Sequence, residues 1–363
     1  MAWTKVAMMG KTPLTLMILA TASDDGTVKL WAVQHIASGG FEQTPSTPPS
    51  LVLVHTVQVT PTADAVTTVA LADMVSENKK IRIIAGTAGG VVALLSCTID
   101  ANPSAISGFS AFLEPHGTVH AHAGIVSSVS FVGCLDLAMS SGHDGTIRTW
   151  ATLAGRGPNA KRELVERAEV ICPRRCPPVS SMLVPHNGLT MLVSTMDRPA
   201  TLRLFNRANM RKGDDSSRPQ DIPAQGMAVW RQLPRRMYTG HVMDVFPCRA
   251  VACGIGDLKL IAVGTDDGHV VFYSASQGAP TTPVKTLTVV DPESLTQTER
   301  AEAEKASDRA GALMMTAVTS LDMIEADRMV VNRPLKRLVL AVANPRLVNG
   351  CGQALLYFIQ KAE

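Results

Sequence analysis

Three times in this sequence an Asp-Gly pair stands between apolar runs, and each time an aromatic residue follows the Asp by six positions: Asp25-Gly26 with Trp31, Asp144-Gly145 with Trp150, and Asp267-Gly268 with Tyr273. Asp and Gly tolerate the positive φ of a type I′ turn, so each pair predicts a hairpin. The stretch Ala121 to Trp150 is the fullest copy. His122 leads into a half-buried strand over Ile125 to Val132, with apolar Val126, Val129 and Phe131. A second strand follows over Leu135 to Ser141, and a third over Thr146 to Trp150. A buried His can hydrogen-bond a turn Asp, and an aromatic on the third strand can cover the pair from water. One such unit cannot bury both its faces, so copies must stack beside it.

The other copies read LMILATASDDGTVKLWAV over Leu16 to Val33 and KLIAVGTDDGHVVFYS over Lys259 to Ser274. Upstream of the latter stands Gly240-His241, and Val245 follows His241 by four as Val126 follows His122. These residues resemble the WD40 repeat, with its GH pair, long gap, Asp-Gly turn and closing Trp-Asp; Ala32 and Ala151 replace the final Asp. The resemblance implies an all-β fold, a propeller of four-stranded blades around a channel. It makes Asp25, Trp31, His122, Asp144, Trp150, His241, Asp267 and Tyr273 the structural residues of their blades. It also implies a scaffold that assembles other proteins without catalysis of its own. Positions flanking the His and just before the inner strand then face the partner-binding top surface, which nominates Ala123, Ile125, Val242 and Asp244.

Length and composition agree with that fold. A chain of 363 residues can bury a sizeable core, and repeats let it do so as one domain over residues 1–363. Hydrophobic content of 46% against 18% charged residues excludes a disordered chain. A net charge of +3 gives no global electrostatic reason to favour nucleic acid or membrane. Seven irregularly spaced Cys suit reduced thiols in cytoplasm or nucleus better than a secreted disulfide framework. No apolar run approaches the roughly 20 residues of a membrane span. The apolar start Leu14 to Ala20 merges into a strand and reads as part of a blade.

Six units are recognisable. Unit one has an inner strand over Trp3 to Met9, the first hairpin, and an outer strand over Leu51 to Val59, rich in β-branched residues. Unit two runs from about Ala63 to Cys97, with strands over Val66 to Leu71, Ile81 to Ala85 and Val91 to Leu95, and Gly89-Gly90 in place of Asp-Gly. Phe109 to Leu113, an outer strand, precedes unit three, which is the stretch from Ala121. Charged Lys161 to Arg175 opens unit four, whose strands are Val179 to Val184, Thr190 to Ser194 and Thr201 to Phe205, with Phe205 in the aromatic's place. Unit five spans Val229 to Ser274. Unit six begins with Val284 to Val290, carries a helix-favouring polar insertion over Glu293 to Arg309, and ends with Met314 to Met323, Arg337 to Ala343 and Ala354 to Ile359. Surface insertions are expected near 40–50, 206–226 and 291–311. A seventh blade could be divergent or supplied by a partner completing the ring at an unpaired edge.

Candidate chemistry is sparse. Cys172 and Cys176 lack a second pair at metal-like spacing, so neither metal nor cofactor is expected. His116, His120, His122 and His143 cluster in sequence, and His122 is accounted for by the blade. In Asp24-Asp25 and Asp266-Asp267 the second member is the turn Asp and the first points away. Gly86 to Gly90 sits between strands with no helix to complete a phosphate loop. The chain is therefore read as a protein–protein scaffold and not an enzyme. An alternative is an RNA-binding or ribosome-associated propeller, in which Trp230, Arg231, Arg235 and Arg236 contact RNA by stacking and phosphate pairing.

Overall fold

A computed structural model describes residues 2–8, 14–34, 50–72, 80–101, 109–132, 137–153, 163–167, 170–172, 177–184, 189–209, 228–243, 248–255, 258–276, 278–289, 320–330, 333–348 and 351–359. Among them every regular element is a β-strand, gathered into six antiparallel sheets. The sheets fall into two compact units, residues 1–171 with 186–189 and 209–229, and residues 172–185 with 190–208 and 230–363.

The first unit holds three four-stranded meanders. Sheet one is β1 (Ala2–Met8), β2 (Leu14–Ala22), β3 (Thr27–Gln34) and β4 (Ser50–Gln58). Sheet two is β5 (Val66–Leu71), β6 (Lys80–Thr87), β7 (Val91–Ala101) and β8 (Phe109–His120). Sheet three is β9 (Val126–Phe131), β10 (Leu137–Gly142), β11 (Ile147–Leu153) and β12 (Glu163–Arg167). Short β13 (Val170–Cys172) straddles the boundary between the units. In the second unit, sheet four carries β14 (Val179–Leu183), β15 (Thr190–Thr195), β16 (Thr201–Asn209) and β17 (Ala228–Tyr238). Sheet five is β18 (Ala250–Ile255), β19 (Leu258–Gly264), β20 (His269–Ser274) and β21 (Lys285–Thr288). Sheet six has three strands among the described residues, β22 (Ser320–Val330), β23 (Arg333–Val348) and β24 (Cys351–Ile359).

Sheet two shows why these segments read as near-continuous apolar runs. Successive strand residues face opposite sides of a sheet. Ile81, Ile83 and Ala85 pack with Ile18, Ala20, Val28 and Leu30 of sheet one. Ile84, Val92 and Leu94 turn the other way, onto Val126, Val129, Phe131 and Trp150 of sheet three. Both faces of the sheet are dry, so both parities must be apolar. Each fully buried Ile or Leu contributes roughly 1.5–3 kcal/mol.

Polar staples register one sheet on the next. Thr67 Oγ1 on β5 donates to Val126 O of β9 at 2.6 Å. Arg82 on β6 donates to Thr152 Oγ1 at 2.8 Å and lies over the Phe131 ring at 5.5 Å. In the second unit, Ser180 Oγ on β14 reaches Cys248 O at 3.5 Å, just before β18. The inner strands thus share a start, Val66-Thr67-Thr68, Val126-Ser127-Ser128 and Val179-Ser180-Ser181, in which a small hydroxyl at the second position bonds a backbone carbonyl.

The structure moves the unit boundaries by one strand. Phe109 to Leu113 belongs to β8 and pairs with β7, so it closes sheet two. The segment at Lys161 to Arg175 contributes β12, the outer strand of sheet three. Val229 begins within β17 of sheet four, and Val284 to Val290 contains β21 of sheet five. The physical reason is that each outer strand finds free backbone groups on the strand before it, while the chain continues from its end into the next sheet. The helix expected over Glu293 to Arg309 lies outside the described residues, as do almost all of the insertions expected near 40–50, 206–226 and 291–311.

Candidate partner-binding surface

His122 precedes β9 and is buried beneath the β10–β11 turn. Its Nδ1 lies 3.2 Å from Asp144 Oδ1 and 2.9 Å from Thr146 Oγ1. Its Nε2 lies 2.8 Å from Ser140 Oγ, which accepts from Trp150 Nε1–H at 2.9 Å. Thr146 donates its own hydroxyl to Asp144 Oδ1 at 2.7 Å, so the proton on this side of the ring is carried by His122 Nδ1. The relay then has one direction: Trp150 N–H to Ser140, Ser140 O–H to His122 Nε2, and His122 Nδ1–H to Asp144. Burial holds the imidazole pKa below its usual value, and the Asp144 charge opposes that shift without reversing it. The Asp144 side chain is only 13% exposed. Its burial works to raise its pKa, but hydrogen bonds from Thr146 and the Ala123 N–H and the neighbouring His122 bring it down to about 2.

This network fixes the loop that leads into β9. Ala123 N–H donates to Asp144 Oδ2 at 3.0 Å, and His143 N–H donates to Ile125 O at 3.0 Å. Sheet two holds the same loop from its other side: Ala121 N–H and His122 N–H both donate to Gly90 O, at 2.8 and 3.1 Å. Gly90 has φ +86°, and a Cβ there would stand 2.0 Å from His122 O. The outcome is an exposed apolar step, Ala123 and Ile125, on a rigid base, with Ile125 39% exposed.

The other predicted blade residues depart from this arrangement in instructive ways. Asp25 is exposed in its turn and bonds Thr27 and Lys29, with its carboxyl held well below the usual range chiefly by the Thr27 hydroxyl. Trp31 is half-buried and donates to Thr21 Oγ1 at 2.9 Å. In sheet five, His241 Nδ1 donates to Tyr273 Oη at 2.9 Å, and Tyr273 donates to Thr239 O at 3.2 Å. Asp267 does not join them; it bonds Thr265, and it is Asp266 that is fully buried, 0% exposed, near the Cys248 thiol. In this pair it is thus the first member, and not the turn Asp, that is buried. Tyr273 brings its own hydroxyl to the His, so no carboxylate is needed. His241, buried, has its pKa lowered to about 4. Val242 beside it is 43% exposed, and Asp244 lies outside the described residues.

The RNA reading loses its aromatics. Trp230 is 0% exposed and Tyr238 is buried, so neither offers a ring face to a base. Arg207 stands over the Trp230 ring instead, at 6.0 Å. Arg236 donates to Ser276 O at 2.8 Å, Arg231 is exposed, and Arg235 lies on β17 with its side chain outside the described set. Two residues were missed from sequence, Ser140 and Thr21. Each stands ten positions before its Trp, in register to receive the indole N–H across the hairpin. Among the described residues no group of three or more His, Cys, Asp or Glu could hold a metal, and no helix is long and apolar enough to cross a membrane.

The model of the family described as WD domain, G-beta repeat, matches residues 11–32 and 113–151. The ribosome biogenesis protein ytm1 of Aspergillus fumigatus is 22% identical over 185 residues, and that of Aspergillus oryzae 21% over 180 residues. Each match takes 50% of this chain and only 36% of the relative's length. Among solved structures, Chaetomium thermophilum Sqt1 bound to the N-terminus of the ribosomal protein L10 aligns over 95% of this chain and 71% of its own, with a TM-score of 0.42 at 11% identity.

Proposed function

We propose that this chain is a WD40-repeat protein and works as a non-catalytic platform that holds partner proteins or peptide segments against the loop end of its blades. The observation that carries the reading is the step at Ala123 and Ile125. An apolar residue exposed on a loop is ordinary; one whose backbone is bonded from two sheets and underpinned by a buried His–Asp–Ser–Trp relay is pre-organised. Pre-organisation spares a partner the entropy of ordering the loop.

The relatives' names point to the partners: we place them among the proteins of ribosome assembly, which sets the work in nucleus or cytoplasm. The test is affinity purification of the tagged full chain from its own cells, with nuclease, followed by mass spectrometry. A stoichiometric set of ribosomal proteins or assembly factors should survive nuclease and fall at least tenfold with Ile125→Asp. An unchanged set with that variant would remove the loop from the interface, and a chain recovered alone would remove the platform reading.

A further inference from the structure

Thr is followed by Pro at residues 12–13, 44–45, 47–48, 60–61 and 282–283. Only Thr282-Pro283-Val284-Lys285 sets a basic residue three positions after the Thr. Thr60 is buried, and its hydroxyl accepts from Asp64 N–H at 3.3 Å. Thr282, Pro283, Val284 and Lys285 are all exposed. They lie where the chain passes from β20 into β21, an edge strand of sheet five. This connection is tied near both ends: Ala279 N–H donates to Ser276 O at 3.2 Å, and Val284 N–H donates to Phe272 O at 2.8 Å. Between those bonds Pro280 and Pro283 have no N–H to give to a strand, so the segment stays out of the sheet.

We propose that Thr282 is a phosphorylation site, used by a proline-directed kinase that reads Pro283 and Lys285, and that its phosphate opposes partner docking beside Val242. A proline after the acceptor enters an apolar pocket with no N–H left unsatisfied, and Lys285 offers a charge for the kinase to pair. The Thr282 hydroxyl oxygen attacks the γ-phosphorus of ATP. The new O–P bond replaces the one to ADP, which leaves, and the hydroxyl proton passes to the kinase's carboxylate base. The sign of the local charge then reverses. Gly278 to Thr286 carry a single charged side chain, Lys285. A phosphate adds about −1.5 to −2, taking the segment from roughly +1 to roughly −1. Pro283 sits over Gly240, where a Cβ would stand 3.1 Å from its Cγ. Gly240 leads through buried His241 to exposed Val242. The new charge therefore arises beside the loop that presents Val242, and an apolar segment docking there would have to strip water from it. The effect on partners rests on the platform reading; the modification does not.

The experiment incubates the folded full chain with a purified cyclin-dependent kinase and ATP and maps phosphate by tandem mass spectrometry, with a peptide of residues 278–289 as control substrate. Phosphate should appear at Thr282 and not at Thr60. Lys285→Ala should slow modification of Thr282 at least tenfold. A control peptide that is modified while the folded chain is not would mean that the fold withholds the site, and overturns the proposal. So does a peptide left unmodified, or a rate indifferent to Lys285→Ala. In the tagged chain recovered from its own cells with phosphatase inhibitors, Thr282 should carry phosphate, and its absence there also overturns the proposal. Thr282→Asp should lower the recovered partner set at least threefold, and Thr282→Ala should leave it unchanged. Equal recovery with both variants removes the switch. The partner set lost with Ile125→Asp is a separate readout, and phosphate at Thr282 in a chain recovered alone would fail the platform reading only.

Discussion

Ser140 is the residue on which the third sheet's polar core turns. It accepts from Trp150 and donates to His122, so its removal strands two buried groups at once. Ser140→Ala should cost about 1–3 kcal/mol, measured as a shift in the urea midpoint at constant slope. Asp144→Ala should cost a similar amount, because His122 Nδ1–H and Ala123 N–H lose their acceptor. Asp25→Ala should cost far less, since Asp25 is exposed and its partners can turn to water. Equal effects at Asp144 and Asp25 would contradict the reading that only the former is part of a buried network. The two turns are identical in sequence pattern, and what separates them is whether a His lies within reach.

At the scale of elements, the turn of one sheet holds the entry to the next. Gly26 O, Gly90 O and Gly268 O each accept from the residue just past an outer strand, Val59, Ala121 and Val289, at 2.8–3.0 Å. Gly90 is the tightest of these places. Gly90→Ala meets both the positive φ and the His122 carbonyl, and should destabilise the protein by more than about 1 kcal/mol. Gly124→Ala, where a new Cβ would find nothing within 4 Å, should be close to neutral. Chemical denaturation of the pair checks the contrast, and a neutral Gly90→Ala would mean that the latch yields. The strand pattern itself was largely legible, because β-branched runs and Asp-Gly turns are local signals. Assignment of the outer strands was not, because a strand between two units can close the sheet before it or open the one after it, and its local pattern does not say which edge it takes.

For the whole molecule, two buried His, His122 and His241, make stability depend on pH. His122 and His241 have folded pKa values below the unfolded value of about 6.5, so below that pH the unfolded state binds protons that the folded state refuses. Their contribution is complete above pH 6.5 and is lost as the pH falls; for His241 the loss continues down to about 4. The urea midpoint should therefore drop between pH 7.5 and 5.0. His241→Gln should show a shallower pH dependence from a lower starting stability, and a midpoint independent of pH would contradict the burial of both rings.

Repetition, turn chemistry and two-sided apolar runs are local properties, and the sequence alone determined from them an all-β chain of repeated sheets, with His122, Asp144 and Trp150 in one unit. Tertiary structure decided what depends on distance between segments far apart in the chain. It set Ser140 between His122 and Trp150, gave Tyr273 the work of a carboxylate, buried Asp266 in place of Asp267, and turned Trp230 inward while leaving Arg231 exposed. Each of these outcomes follows from which group first satisfies a buried hydrogen bond, and no spacing within a single strand encodes that competition.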